Sequence, residues 1–154
     1  MKVSKAQKSD IPEIIKFNIN MAMETENKKL DEHTVTKGVH KVFSSPSLGY
    51  YIIVKDPSGI LGCLMITYEW SDWRNGLFWW IQSVYVKKEY RRKGVFRKMY
   101  NFIHGKAISD KKCTGIRLYV ENNPYVNKEL LETPLKYYVK CWKNNIDLLE
   151  KSTK

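Results

Sequence analysis

The stretch Phe78–Tyr100, FWWIQSVYVKKEYRRKGVFRKMY, constrains this chain more than any other. An apolar, β-branched and aromatic run ends in a basic turn with a single glycine, and an amphipathic stretch follows. Val95, Met99, Phe102 and Ile103 recur at helical spacing and form one apolar face. After the polar break SDKKCTG comes IRLYVE, which reads as a short buried strand. A strand, a helix and a strand in that order close as a right-handed crossover with parallel strands. The fold must therefore hold a parallel pair with a basic turn at the strand-to-helix junction.

The residues before this unit predict an antiparallel meander. GYYIIVKD, ILGCLMITYEW and LFWWIQSVYV are strand-like, separated by DPSG and SDWRNG, both turn signatures. Upstream, MKVSKAQ reads as an edge strand. SDIPEIIKFNINMA reads as a helix capped by Ser9 or Asp10, with Pro12 in its first turn and Ile11, Ile14, Ile15 and Ile19 on one face. ETENKKLDEH reads as a loop, and TVTKGVHKVFSS as a second helix stopping before Pro46. The order βααβββαβ is an α+β plan. At 154 residues the chain is read as a single domain, 1–154.

The chain carries 27 lysines and arginines against 16 acids, a formal net charge of +11. The excess is spread along the chain, and most aromatics fall in strand-like runs. A single-stranded nucleic-acid platform wants basic residues interleaved with exposed aromatics, so nucleic acid is a disfavoured partner. No apolar run approaches the length of a membrane span, and MKVSKAQKSD lacks the apolar core of a signal peptide. The expected location is cytoplasmic. Cys63, Cys113 and Cys141 match no metal spacing and read as free thiols, Cys113 in a polar turn. His33, His40 and His104 show no triad-like context.

The basic turn is built for an anion. Gly94 permits close backbone approach, the following helix offers free N–H groups, and Arg91, Arg92, Lys93 and Arg97 add positive charge. The nucleoside-triphosphate loop and the three-glycine dinucleotide fingerprint are both absent.

The segment VYVKKEYRRKGVFRKMY resembles the acetyl-CoA pyrophosphate segment of the GNAT superfamily of N-acetyltransferases. That family's core pattern is Arg or Gln, two residues, Gly, one residue, then Gly or Ala. Arg91, Arg92, Lys93, Gly94 and Val95 fit it; Phe96 stands in place of the final small residue. The meander before the turn and IRLYVENN after it match the family order over Lys2–Asn123.

The resemblance implies a mainly antiparallel mixed sheet flanked by helices, with acetyl-CoA as acetyl donor and no metal. It implies pyrophosphate held by the amides from Arg92 to Arg97, with Arg91 as part of the motif. It implies pantetheine paired with the backbone of Val84 and Val86, and a cofactor contact at Asn122. It implies an acetyl transfer by direct attack of an amine, whether of a small molecule or of a peptide. Glu69, at the end of a long strand beside Trp70, is the expected base, on the view that tryptophans bury it. Gln82 can only orient a water, and Asp72 reads equally as a turn residue. The family's tyrosine acid falls at Leu131 here, so Tyr138 or Tyr137, beyond Pro134, takes that expected role; Tyr125 is a third candidate. The rival readings are a degenerate acetyl-CoA-binding protein with little turnover and a basic nucleic-acid-binding module.

Two further expectations concern the flanks. Glu24, Glu26, Asp31 and Glu32 are expected to form a negative patch for a cationic acceptor beside the cleft. The C-terminal 33 residues after Glu121 leave room for one helix and one strand, LKYYVKCW. Exchange of that strand between copies is expected to give a homodimer.

Overall fold

A computed structural model describes residues 1–119 and 137–141, the side chains through Leu118. The elements are β1 (Lys2–Lys5), α1 (Ile11–Glu26), α2 (Glu32–Ser44), β2 (Tyr50–Asp56), β3 (Gly59–Ser71), β4 (Gly76–Val86), α3 (Val95–Ser109), β5 (Cys113–Tyr119) and β6 (Tyr137–Cys141). A single 3-10 turn, Lys8–Asp10, leads into α1, and another, Lys88–Tyr90, precedes the basic turn. The six strands form one sheet in sequence order, β1 to β6. β1 and β2 pair antiparallel, as do β2 and β3, while β4 and β5 are parallel, as the crossover requires. The fold is α+β, a mixed and mainly antiparallel sheet flanked by helices.

By compactness the chain divides into two units. The first is Met1–Thr67 with Ser83–Ile103, the second Tyr68–Gln82 with His104–Lys154. β3, β4 and α3 contribute residues to both.

In the first unit, Ile11, Ile14, Phe17 and Val39 of the first two helices bury against Tyr51, Ile53, Cys63 and Tyr85 of the sheet. Phe17, missed by the isoleucine spacing, is 2% exposed and stacks at a tilt on Tyr85, with ring centroids 4.9 Å apart. Burying a side chain of this size contributes about 1.5–3 kcal/mol. Asp10 fastens the start of α1. One of its carboxylate oxygens accepts from the Gln7 amide and the other from Lys55 of β2, at 2.8 and 2.5 Å.

Gly62 lets β3 and β4 meet. A Cβ there would lie 2.7 Å from the Tyr85 carbonyl oxygen, so only glycine fits. The Lys87 amide donates to the Leu61 carbonyl at 2.9 Å. Alternation along a strand then turns the peptide groups of Val84 and Val86 away from β3.

In the second unit, the Asp72–Asn75 turn returns β3 into β4, with Asn75 left-handed at φ 48° as its Asn-Gly sequence favours. Asp72 caps this turn by accepting from the Trp73 amide at 2.8 Å. The parallel β4–β5 ladder runs from Leu77↔Cys113 to Ile81↔Leu118. Cys113 is fully buried at the start of β5 rather than lying in a polar turn, because the strand begins three residues earlier than the IRLYVE reading has it. β6 pairs antiparallel with β5 over Gly115↔Cys141 to Tyr119↔Tyr137. The strand expected in LKYYVKCW forms and pairs with β5.

Candidate functional site

The first unit carries the basic turn. Arg91 is extended (φ −68°, ψ 151°), Arg92 is left-handed at φ 61°, and Gly94 is left-handed at φ 74°. Lys93, between them, is outside the left-handed region. Left-handed residues alternating with others are the kind of backbone from which concave anion nests are built. α3 starts at once. Its first ladder bond is from the Lys98 amide to the Gly94 carbonyl at 3.0 Å, so the N–H groups of Val95, Phe96 and Arg97 stand ahead of the ladder. A Cβ on Gly94 would meet nothing within 4 Å, so the space over the turn is open. Arg92, Lys93 and Arg97 are exposed, and Phe96 is half-buried. The donors and the open space fit a pyrophosphate, and Phe96 removes none of the amides.

Arg91 behaves differently from its neighbours. Its Nε donates to the Val86 carbonyl at 2.9 Å, and its Nη2 to Glu24 Oε2 of α1 at 2.6 Å. The guanidinium lies 5.6 Å from the Tyr85 ring centroid, and the Tyr85 hydroxyl donates to Glu24 Oε1 at 3.1 Å. Burial by itself raises the Glu24 carboxyl, but the hydrogen bond and charge of Arg91, the Tyr85 hydroxyl and Lys88 outweigh it and hold it below its ordinary value.

This arrangement corrects the expected acidic patch. Glu24 and Glu26 are the last turn of α1 rather than loop, and Glu24 is spent on Arg91 and Lys88. Asp31 caps α2, accepting from the Thr34 amide at 2.8 Å and from its hydroxyl at 2.5 Å. Two of the four acids that sequence spacing put together, Glu24 and Asp31, thus face structural partners.

The second unit carries a row of side chains across three strands. Glu69 of β3 accepts from Trp80 Nε1 of β4 and, at 2.5 Å, from Arg117 Nη1 of β5. Trp80 and Arg117 are register partners. The Arg117 guanidinium lies 3.8 Å from the centroid of the buried Phe78 ring and 5.8 Å from that of Trp80. Glu69 is half-buried, but Trp70 does not bury it, being 60% exposed because it points away at the strand end. The tryptophan that matters is Trp80, and it acts as a donor rather than as an apolar wall. Arg117 was missed in the sequence; only the register of β4 against β5 brings it here.

The other sequence candidates fall as follows. Val84 and Val86 are half-buried on β4, past Ser83, which is left-handed at φ 49°. Gln82 is exposed. Tyr68 stands edge-on to Trp79, and its hydroxyl is held above the ordinary value by burial, then by Asp110 and Cys113. Tyr138 and Tyr137 lie on β6, opposite Leu118 and Tyr119 in register. Asn122, Tyr125 and Leu131 lie outside the described residues. A surface depression of about 450 Å³, lined by Lys8, Ile11, Lys37, His40, Lys41, Phe43 and Ser44, shares no residue with the turn or the row. Among the described residues no helix is long and apolar enough to cross a membrane.

The site is a basic, open strand-to-helix junction between β4 and α3 of a mixed sheet. The acetyltransferase (GNAT) family model matches residues 17–132, and the chain belongs to that family. It is a GNAT-type N-acetyltransferase, and its donor is acetyl-CoA. Among solved structures it is similar to a possible acetyltransferase from Clostridium difficile 630, with 45% identity over 82% of each chain and a TM-score of 0.74. The fold also matches a predicted acetyltransferase from Clostridium acetobutylicum with acetyl-CoA, at 16% identity, 86% and 90% coverage and a TM-score of 0.67. A GNAT acetyltransferase from Staphylococcus aureus Mu50 matches at 14% identity, 91% and 98% coverage and a TM-score of 0.66. No curated protein matches the sequence.

Proposed function

We propose that this enzyme transfers the acetyl group directly to the amine of a small molecule or peptide, with Glu69 as base. The observation that carries the donor half of this reading is the left-handed pair Arg92 and Gly94 running into the helix-start amides of Val95–Arg97, which precede the Lys98-to-Gly94 bond. These amides would hold the pyrophosphate, helped by the exposed side chains of Arg92, Lys93 and Arg97. The outward peptide group of Val84 and the outward N–H of Val86 would pair with the pantetheine arm, since the Val86 carbonyl already accepts from Arg91. Arg91 is then a strut: it is committed to Val86 and Glu24, and it fixes the strand end and the turn together.

When bound, acetyl-CoA supplies a thioester whose carbonyl carbon is the electrophile. Glu69 takes one proton from the acceptor's ammonium, freeing the nitrogen lone pair to form the new C–N bond as the C–S bond breaks. Tyr138 or Tyr137, on the strand bordering β5, gives its hydroxyl proton to the departing sulfur and regains one from solvent. The second N–H proton leaves as the amide forms, so one net proton is released per turnover. Both Glu69 oxygens already accept hydrogen bonds. For Glu69 to act, the acceptor's ammonium must approach a carboxylate that the Arg117 guanidinium already engages at Oε1.

The test is calorimetry with acetyl-CoA, then thiol release against a panel of amines. Binding with turnover supports the reading. Binding with no turnover on any amine leaves a donor-binding protein, and no binding removes the assignment of the turn.

A further inference from the structure

The Glu69–Arg117 pair is half of a larger charged group. Arg74, from the β3–β4 turn, places its guanidinium 5.4 Å from the centroid of the same Phe78 ring that Arg117 covers at 3.8 Å. Two guanidinium groups thus lie against one buried ring, and the Glu69 carboxylate pairs with one of them. Among the described residues, the Nε atoms of both Arg74 and Arg117 are buried and have no hydrogen-bond partner. Buried donors of charged groups without an acceptor are rare and costly, and they mark a place where an acceptor belongs.

We infer that the acceptor carries an anionic group, a carboxylate or a phosphate, beside its amine, and that Arg117 and Arg74 receive it. The inference rests on the reading that Glu69 takes the acceptor's ammonium. An ammonium that pairs with Glu69 Oε1 meets the Arg117 guanidinium there and crowds or replaces it. If the acceptor is a simple amine, Arg117 must share or lose its counter-ion, and two guanidiniums repel the incoming cation. A half-buried charge stripped of its partner is strongly disfavoured. If the acceptor also bears an anion, the partners exchange instead. The ammonium takes the carboxylate, the anion takes the guanidinium, and no charge is left alone. Arginine's planar fork suits both carboxylate and phosphate oxygens. The existing salt bridge is in effect a mould of the ligand's two charges. Trp80, still donating to Oε2, keeps Glu69 in place during the exchange.

Matched pairs test this with acetyl-CoA as donor and thiol release as readout. One arm sets L-amino acids against their carboxamides; the other sets phosphoethanolamine against ethanolamine. A carboxamide's amine is the more easily deprotonated, so intrinsic reactivity works against the expected result. In at least one arm the anion-bearing member should exceed its neutral counterpart in kcat/KM by about tenfold or more, less than a fully buried site would give because the pair is partly exposed. The arm that responds identifies the anion. Arg74→Gln leaves the Glu69 contact untouched and should shrink the preference about fivefold, by raising KM for the anion-bearing member more than for the neutral one. Arg74→Lys, which keeps the charge, should restore part of it; it also serves if the glutamine variant does not fold. Neutral amines turned over as well as their anionic counterparts would overturn the inference while leaving the acetyltransferase reading intact. So would a preference unchanged in both Arg74 variants. Turnover of neither set, with acetyl-CoA binding intact by calorimetry, also overturns it. Loss of acetyl-CoA binding itself would instead strike the reading beneath.

Discussion

The turn at Arg91–Gly94 and the row Glu69–Trp80–Arg117 use opposite materials. The turn is made of backbone: two left-handed residues and three helix-start amides, with side chains only assisting. The row is made of side chains, drawn from three strands and held by register. A backbone site tolerates change at most of its side chains but not at the residue that sets its dihedrals. A side-chain site fails wherever any of its members is altered, yet its backbone is ordinary strand. The two should therefore break in different ways, and mutation can separate them.

The largest effect is expected at Gly94. Gly94→Glu should abolish measurable acetyl-CoA binding in calorimetry. The cause is not crowding against the chain, because a Cβ there meets nothing within 4 Å. It is a side chain forced to φ 74°, a strain of about 1–3 kcal/mol, together with a negative charge set in the space meant for phosphate. Gly94→Ala separates these contributions, since it keeps the strain and adds no charge, and it should weaken binding about tenfold. Arg92→Ala should cost less than either glutamate or alanine at 94, as the amides remain. Unchanged affinity in Gly94→Glu would remove the turn from the donor site.

Glu69→Gln should act on the other half. It keeps the acceptor oxygen for one donor but cannot take a proton, so kcat should fall about 10²- to 10⁴-fold. Acetyl-CoA affinity should stay as it is. A loss of donor binding in this variant would show that the backbone site and the side-chain row are not independent.

The same contrast explains what the sequence made legible. The order of elements, the crossover, the Asn75-Gly76 turn and the basic junction are local, and each has a signal within a few residues. Gly94 carries its own meaning because few other residues sit comfortably at positive φ. The row has no local signal. Residues 69, 80 and 117 meet only because β4 and β5 pair Trp80 with Arg117. A one-residue slip would have put Arg117 on the other face. Apolar context misled as well: Trp70, next to Glu69 in sequence, is 60% exposed, and Trp73 is 86% exposed. The acids of ETENKKLDEH cluster in sequence, but a helix end and a cap consume two of them.

Arg91 stands between the two kinds of site, since it is a side chain that supports a backbone. If it is a strut, Arg91→Lys should not rescue Arg91→Gln, because a single ammonium cannot reach both the Val86 carbonyl and Glu24 as the guanidinium does. Each variant should weaken acetyl-CoA binding about fivefold, with coupling to Glu24→Gln near the low end of the ~0.5–3 kcal/mol found for contacting pairs, given the exposure of Arg91. A purely ligand-binding Arg91 would show rescue by lysine and no coupling to Glu24.

The smallest expected effect is a pH dependence of stability carried by Glu24. Its carboxyl is held below the ordinary value of 4.5 in the folded chain by Arg91, Tyr85 and Lys88 acting against burial. A group whose folded value is depressed contributes stability above its unfolded value and loses it as pH falls through the folded one. The wild type should therefore melt slightly above Glu24→Gln at neutral pH. The gap should close as the pH falls through about 4.5, where the unfolded carboxylate is half protonated, and on below it. Melting curves of both proteins from pH 7 down to pH 3.5 measure this directly. Parallel curves with a constant gap would mean that Glu24 stabilises by packing rather than by charge. The Arg91 bridge would then be a contact of the resting turn with no electrostatic hold on it.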